Sequence, residues 1–138
     1  MTHERPLLPA QARTAEVNEE IASFHADFVQ EVVDAVARHE VVIVGMDQNP
    51  VVKRARRLLD QAAIPYRYVG HGNYLTGYRR RLAVKLWSGY PTFPQVFVQG
   101  ILIGGCRELE RDLANGALQT RRAQGRLPPN TGVRSDGG

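Results

Sequence analysis

A chain of 138 residues is long enough for one domain with its own hydrophobic core and too short for two of ordinary size. Hydrophobic residues make up 43% and charged residues 23%, a globular balance that excludes a disordered chain, and no apolar run nears the roughly 18 residues that a membrane span needs. A net charge of +4 favours anionic partners, and the single cysteine, Cys106, excludes an internal disulfide, a dithiol redox cycle and a four-thiolate metal site within one chain.

Met1 to Arg13 has no charged-then-apolar leader layout, and Pro6 and Pro9 predict a flexible lead-in, so residues 1–14 are read as an arm and the protein as cytoplasmic. From Ala15 to His39, Val17, Ile21, Phe24, Phe28, Val32 and Val36 recur at steps of three and four, which predicts one long amphipathic helix. The β-branched run Val41 to Val44, closed by Gly45, reads as a buried strand. Asn49 followed by Pro50 signals a helix start, because Asn caps orphan amides and Pro fits the first helical position. That helix turns Val51, Ala55, Leu58 and Leu59 inward, with Lys53, Arg54, Arg56 and Arg57 beside them.

Tyr66 to Val69 reads as a second strand and Gly70 to Asn73 as a loop. A helix then runs to about Trp87, with Arg79, Arg80, Arg81 and Lys85 on its exposed side and Leu82, Val84 and Leu86 available for packing, before Ser88-Gly89 ends it. After the proline-rich stretch from Tyr90 to Gln95, Val96 to Val98 and Ile101 to Ile103 form strands around a Gln99-Gly100 hairpin turn. A last helix runs from Arg107 to about Asn115 and stops at Gly116. The domain is expected over residues 15–120, and the Gly, Pro, Arg and Ser content of residues 121–138 predicts a disordered tail. The four histidines have no ligand spacing and read as surface or packing residues.

Two strands joined by a helix run parallel and the final hairpin antiparallel, so the order predicts an α/β protein. The expected architecture is a thioredoxin-like fold, a four-stranded mixed sheet covered by helices, with an extra N-terminal helix.

The segment from Tyr90 to Arg107, YPTFPQVFVQGILIGGCR, resembles the second half of a monothiol glutaredoxin, where W-P-T-x-P-Q, a hairpin and G-G-C-D follow without gaps. The likeness continues through Glu108-Leu109 to Asn115-Gly116, and back through Arg81, Lys85 and Ser88, which fit the family's R-x-x-x-K-x-x-S helix. With the first strand and the Lys53 to Leu59 helix it covers roughly residues 35 to 118. The resemblance implies the glutaredoxin fold and reduction of glutathione mixed disulfides. In the monothiol branch it also implies a [2Fe-2S] cluster held between two protomers with two glutathiones.

Aligned on Ala55, Leu58 and Leu59, the family's cysteine motif falls on Asn49-Pro50-Val51-Val52, and neither cysteine position is a cysteine. An amide cannot attack a disulfide, so Asn49 keeps only the capping role. The resemblance assigns ligand contacts to Thr92, Phe93 and Pro94, where a cis proline offers backbone to the cysteinyl part of glutathione. It assigns the γ-glutamyl end to Gly105, Cys106 and Arg107, the last replacing the family's Asp, and the glycyl carboxylate to Arg81. Met46 stands where the family has a lysine. Cys106 has two readings, a thiol activated by a helix N-terminus and Arg107, or a small buried hydrophobe.

The first functional reading is a non-catalytic glutathione- or peptide-binding or regulatory module in thiol redox or iron-sulfur biology. The alternatives are a glutathione-dependent thiol-disulfide oxidoreductase using Cys106, or a [2Fe-2S] carrier, whose main support goes with the thiol missing at Asn49. Expected partners are glutathione, an acidic or thiol-containing protein, or a second copy. No membrane is expected, and no aromatic interleaving or nucleic-acid motif accompanies the basic residues of the two middle helices, so nucleic acid is not expected either.

Overall fold

A computed structural model of the chain describes residues 4–70 and 77–126. The elements are α1 (Ala15–Ser23), α2 (Ala26–Arg38), β1 (Val41–Gly45), α3 (Pro50–Gln61), β2 (Arg67–Gly70), α4 (Tyr78–Ser88), β3 (Gln95–Val98), β4 (Ile101–Gly104), α5 (Cys106–Asn115) and α6 (Ala117–Gln124). The four strands lie in the order β2-β1-β3-β4, with β1 parallel to β2 and antiparallel to β3, and β3 antiparallel to β4. This is the mixed α/β sheet expected from the order of elements.

Side-chain alternation divides the core. Val42, Val44 and Phe97 pack with Phe28, Val32 and Val36 of α2 and Val84 of α4. On the opposite face Val41, Ile43, Val96 and Val98 pack with Ala55 and Leu59 of α3, Leu109 of α5 and Leu118 of α6. All five residues of β1 are buried, because both of its faces are covered and both of its edges are paired.

The expected single helix over Ala15 to His39 is broken. His25 adopts a left-handed conformation (φ 45, ψ 40), α1 buries no residue, and α2 buries Phe28, Val32, Ala35 and Val36. A 25-residue helix would extend about 37 Å against about 17 Å for a five-residue strand, so the sheet supports only its second half. Periodicity also misplaced some side chains. Val52 is buried and Val51 is 48% exposed, because α3 closes on β1 at Gly45, where a Cβ would lie 2.7 Å from the Val52 side chain. On α4, Ala83 and Val84 face in, whereas Leu82 and Leu86 face out.

The turn at Gln99-Gly100 has positive φ at both residues (51 and 83), the geometry that suits the twist of a tight hairpin. Helix α6 continues the chain past residue 120. Its Arg122 pairs with Glu40, Gln99 donates to Arg122 O at 3.2 Å, and Arg126 donates to His39 O at 3.2 Å. Residues 121–126 are therefore tied to the start of β1. The loop expected at His71 to Asn73 and residues 127–138 lie outside the described residues.

Candidate functional site

Three segments leave the sheet at one end. Val44 pairs with Gln95 and Val96 with Gly104, so the chain after β1, the chain before β3 and the chain after β4 emerge together. These carry Met46 to Asn49, Phe93-Pro94 and Gly105 to Arg107. On the first, Asn49 caps α3: its Oδ1 accepts from the backbone N–H of Val51 at 2.8 Å and of Val52 at 3.2 Å, and Pro50 takes the first helical position. Both bonds engage the side-chain oxygen of the residue onto which the resemblance places the family's cysteine. Met46 is buried, at 4% exposure, and contributes to packing.

The Phe93-Pro94 peptide is cis. Pro94 is buried, Phe93 half-buried and Thr92 exposed. Lys85 of α4 holds its ammonium 5.6 Å over the Phe93 ring, a cation–π arrangement that keeps positive charge beside this edge. Arg81 lies one turn earlier on α4, half-buried. Gly105 packs directly on the turn: a Cβ there would lie 3.2 Å from Pro94 O. Phe93, Pro94 and Gly105 are thus brought together as the motif implied.

The residues after Gly105 diverge. Cys106 turns into the core with Ala55, Leu59 and Leu109, and burial pushes its thiol pKa up, against the smaller opposing pull of Arg54. Of its two sequence readings, the buried small hydrophobe describes its surroundings. The Arg107 side chain is 92% exposed, 3.6 Å from Glu108 Oε2. Glu108 Oε1 accepts the Gly105 N–H at 2.9 Å, and this bond holds the Glu108 carboxyl below its usual range. A carboxylate of the chain itself therefore caps α5 where the resemblance places part of the ligand.

Several site residues escaped the sequence reading. Tyr90 donates its hydroxyl to Glu108 Oε1 at 3.4 Å, and its own N–H is accepted by Ser88 Oγ at 3.1 Å. Gln95 is fully buried and donates to Tyr90 O at 3.0 Å, bracing the proline-rich turn. The spacing Gly105-x-x-Glu108 was a capping signal that could have been read. Asp47, by contrast, meets Tyr68 from another strand, which no local signal announces. Among the described residues no group of three or more His, Cys, Asp or Glu side chains is placed to hold a metal ion.

No family model matches the chain. It is 36% identical over 106 residues to a glutaredoxin-like protein of Dictyostelium discoideum, covering 77% of this chain and 86% of that one. A bifunctional monothiol glutaredoxin of Arabidopsis thaliana, described as chloroplastic, is 32% identical over 98 residues, covering 65% of this chain and 33% of its own. The buckwheat glutaredoxin-glutathione complex has the same fold, with a TM-score of 0.64 at 22% identity over 81% of this chain and 96% of that one. Oxidized glutaredoxin 2 from Chlamydomonas reinhardtii gives a TM-score of 0.62 at 25% identity over 72% and 94% of the two chains. With this relative, this fold and the cis-proline and Gly-Gly-Cys segments side by side, the chain belongs to the glutaredoxin family.

Proposed function

We propose that this chain is a glutathione- or peptide-binding module that uses the family's groove without thiol-disulfide exchange at the start of α3. The carrying observation is Asn49, which has no thiol and whose Oδ1 is bonded to two backbone amides of α3. An extended ligand would meet the backbone at Phe93 as an added strand, with its carboxylate toward Arg81 and Lys85 and its other end toward Gly105 and Arg107. The buckwheat fold neighbour, solved with glutathione, supports that class of ligand. Arg107 in place of an acidic residue favours ligand carboxylate over ligand ammonium.

The same observations weigh against the alternatives. Exchange through Cys106 needs an accessible thiolate, and the residue is buried, at 8% exposure, with its thiol pKa raised by that burial. The donor set does not fit a [2Fe-2S] cluster either, since the helix start that would face it carries an amide. Titration of the labelled chain with reduced glutathione, followed by amide NMR, tests the proposal. Shifts gathered at Thr92, Phe93, Gly105 and Arg107 are expected. Their absence up to about 10 mM, where affinity would be weaker than about 3 kcal/mol of binding free energy, would overturn it.

A further inference from the structure

Helix α1 is amphipathic yet buries nothing. Val17, Ile21 and Phe24 fall on one face, and Val17 and Ile21 remain 42% and 49% exposed. Beside it α4 carries a second uncovered stripe, Tyr78, Leu82 and Leu86 at four-residue spacing, exposed at 56%, 44% and 66%. Between the two a groove of about 390 Å³ is lined by Ile21, Phe24, Val29, Val33, Leu86 and Trp87. A nine-residue helix gains little stability from its own hydrogen bonds and needs its apolar face covered. A contiguous apolar face of this kind marks an interaction surface, unlike apolar residues scattered singly.

The charged borders indicate what covers it. Glu16 and Glu20, four residues apart and exposed, run along the α1 stripe, whereas α4 carries exposed Arg79, whose guanidinium lies 5.5 Å over the Phe24 ring. The α1 sequence, AEVNEEIAS, has three Glu and no Lys or Arg, the opposite of the cationic polar face that suits an anionic lipid surface. An acidic α1 beside an α4 that begins Tyr78-Arg79-Arg80-Arg81 is self-complementary: a two-fold axis through the groove sets α1 of each copy against α4 of the other. We infer that a second copy of this chain covers the α1–α4 face, with Glu16 and Glu20 of one protomer toward the partner's Arg79. This stands apart from the ligand groove and does not depend on it.

Sedimentation velocity of the full chain from about 2 to 200 μM, a range spanning ordinary weak to moderate dimers, provides the test. A monomer–dimer equilibrium is expected. Ile21→Lys with Leu82→Lys, which sets like charges against each other across the interface, should leave a monomer at the highest concentration with an unchanged circular dichroism spectrum, since both side chains are exposed. Glu20→Arg alone should weaken the dimer by roughly tenfold, and Arg79→Glu added to it should restore most of that loss. A wild-type chain that stays monomeric throughout would overturn the inference. So would a dimer unmoved by the paired Ile21 and Leu82 substitutions, or a monomer that binds anionic lipid vesicles through this face.

Discussion

The Tyr68 hydroxyl donates to Asp47 Oδ1 at 2.7 Å, tying the edge strand β2 to the segment between β1 and α3 that ends in Asn49. Arg56 of α3 lies 4.0 Å over the Tyr68 ring and donates to the Tyr66 hydroxyl at 3.2 Å, so helix, strand and segment meet in one polar corner. Burial, reinforced by the Asp47 bond, holds the Tyr68 hydroxyl pKa above the ordinary tyrosine range. It therefore remains a donor at neutral and mildly alkaline pH.

Tyr68→Phe is expected to cost about 1 kcal/mol, the usual worth of a partly exposed hydrogen bond, and to move the amide resonances of Asp47 to Asn49. Gly70→Ala should do at least as much damage, because its Cβ would lie 2.1 Å from the Tyr68 hydroxyl oxygen and 2.5 Å from Asp47 Oδ1. Chemical denaturation of both variants, with amide spectra, checks this. An unmoved Asn49 amide in Tyr68→Phe would show that the bond does not position the segment.

Asn49→Ala removes the two bonds that cap α3 and should destabilise the chain by about 1 kcal/mol, whereas Asn49→Asp, whose carboxylate accepts the same two bonds, should retain most of the stability. Asn49→Cys sacrifices part of the cap but sets a thiol at a helix N-terminus beside Phe93-Pro94, so measurable turnover of a glutathione mixed disulfide is expected. Adding Arg107→Asp should raise it further, at an exposed site that tolerates the change. Met46→Lys, by contrast, would place an ammonium at a buried position and is expected to destabilise the fold before it helps a ligand. A coupled glutathione assay on each folded variant decides; no turnover from the Asn49→Cys, Arg107→Asp pair would mean the groove no longer aligns glutathione.

Glu108 makes stability depend on acid. Its folded pKa lies below the unfolded value, so its ionised form stabilises the fold fully above the ordinary carboxylate value of about 4.3. That contribution is lost as pH falls through the folded value. Glu108→Gln should therefore lower the melting temperature at pH 7 and differ progressively less from wild type below about pH 4. Parallel melts of the two proteins across this range measure the difference, and a gap that stays constant would assign it to packing alone.

Cys106 is expected to alkylate slowly. Because burial raises its pKa, the thiolate fraction at pH 7 to 8 is smaller than that of an exposed cysteine, and the buried sulfur must also be reached. The rate with iodoacetamide should rise sharply in denaturant, and the native pH profile should lie above the ordinary thiol midpoint of about 8.5. Native labelling as fast as free cysteine would restore the reading of Cys106 as a reactive thiol.

The amino-acid sequence by itself determined the order of elements from the first strand to the helix after the hairpin, the Asn49-Pro50 helix start, the Gln99-Gly100 turn and the absence of a thiol at the head of α3. Each rests on signals that act within about four residues: periodicity, capping and the φ preferences of Gly, Asn and Pro. The likeness of the Tyr90 to Arg107 segment to its family added the cis proline and the neighbouring Gly-Gly turn, which meet in the structure at Pro94 and Gly105. Only the tertiary structure decided which apolar faces are covered. A period of three and four marks Val17 and Ile21 as surely as Phe28 and Val32, but the short sheet reaches only the second pair. Tertiary packing likewise raised the pKa of Cys106 and set Asp47 against Tyr68, 21 residues away. Burial and proton affinity depend on which surfaces meet, and that is set by chain segments too far apart for any local pattern to relate.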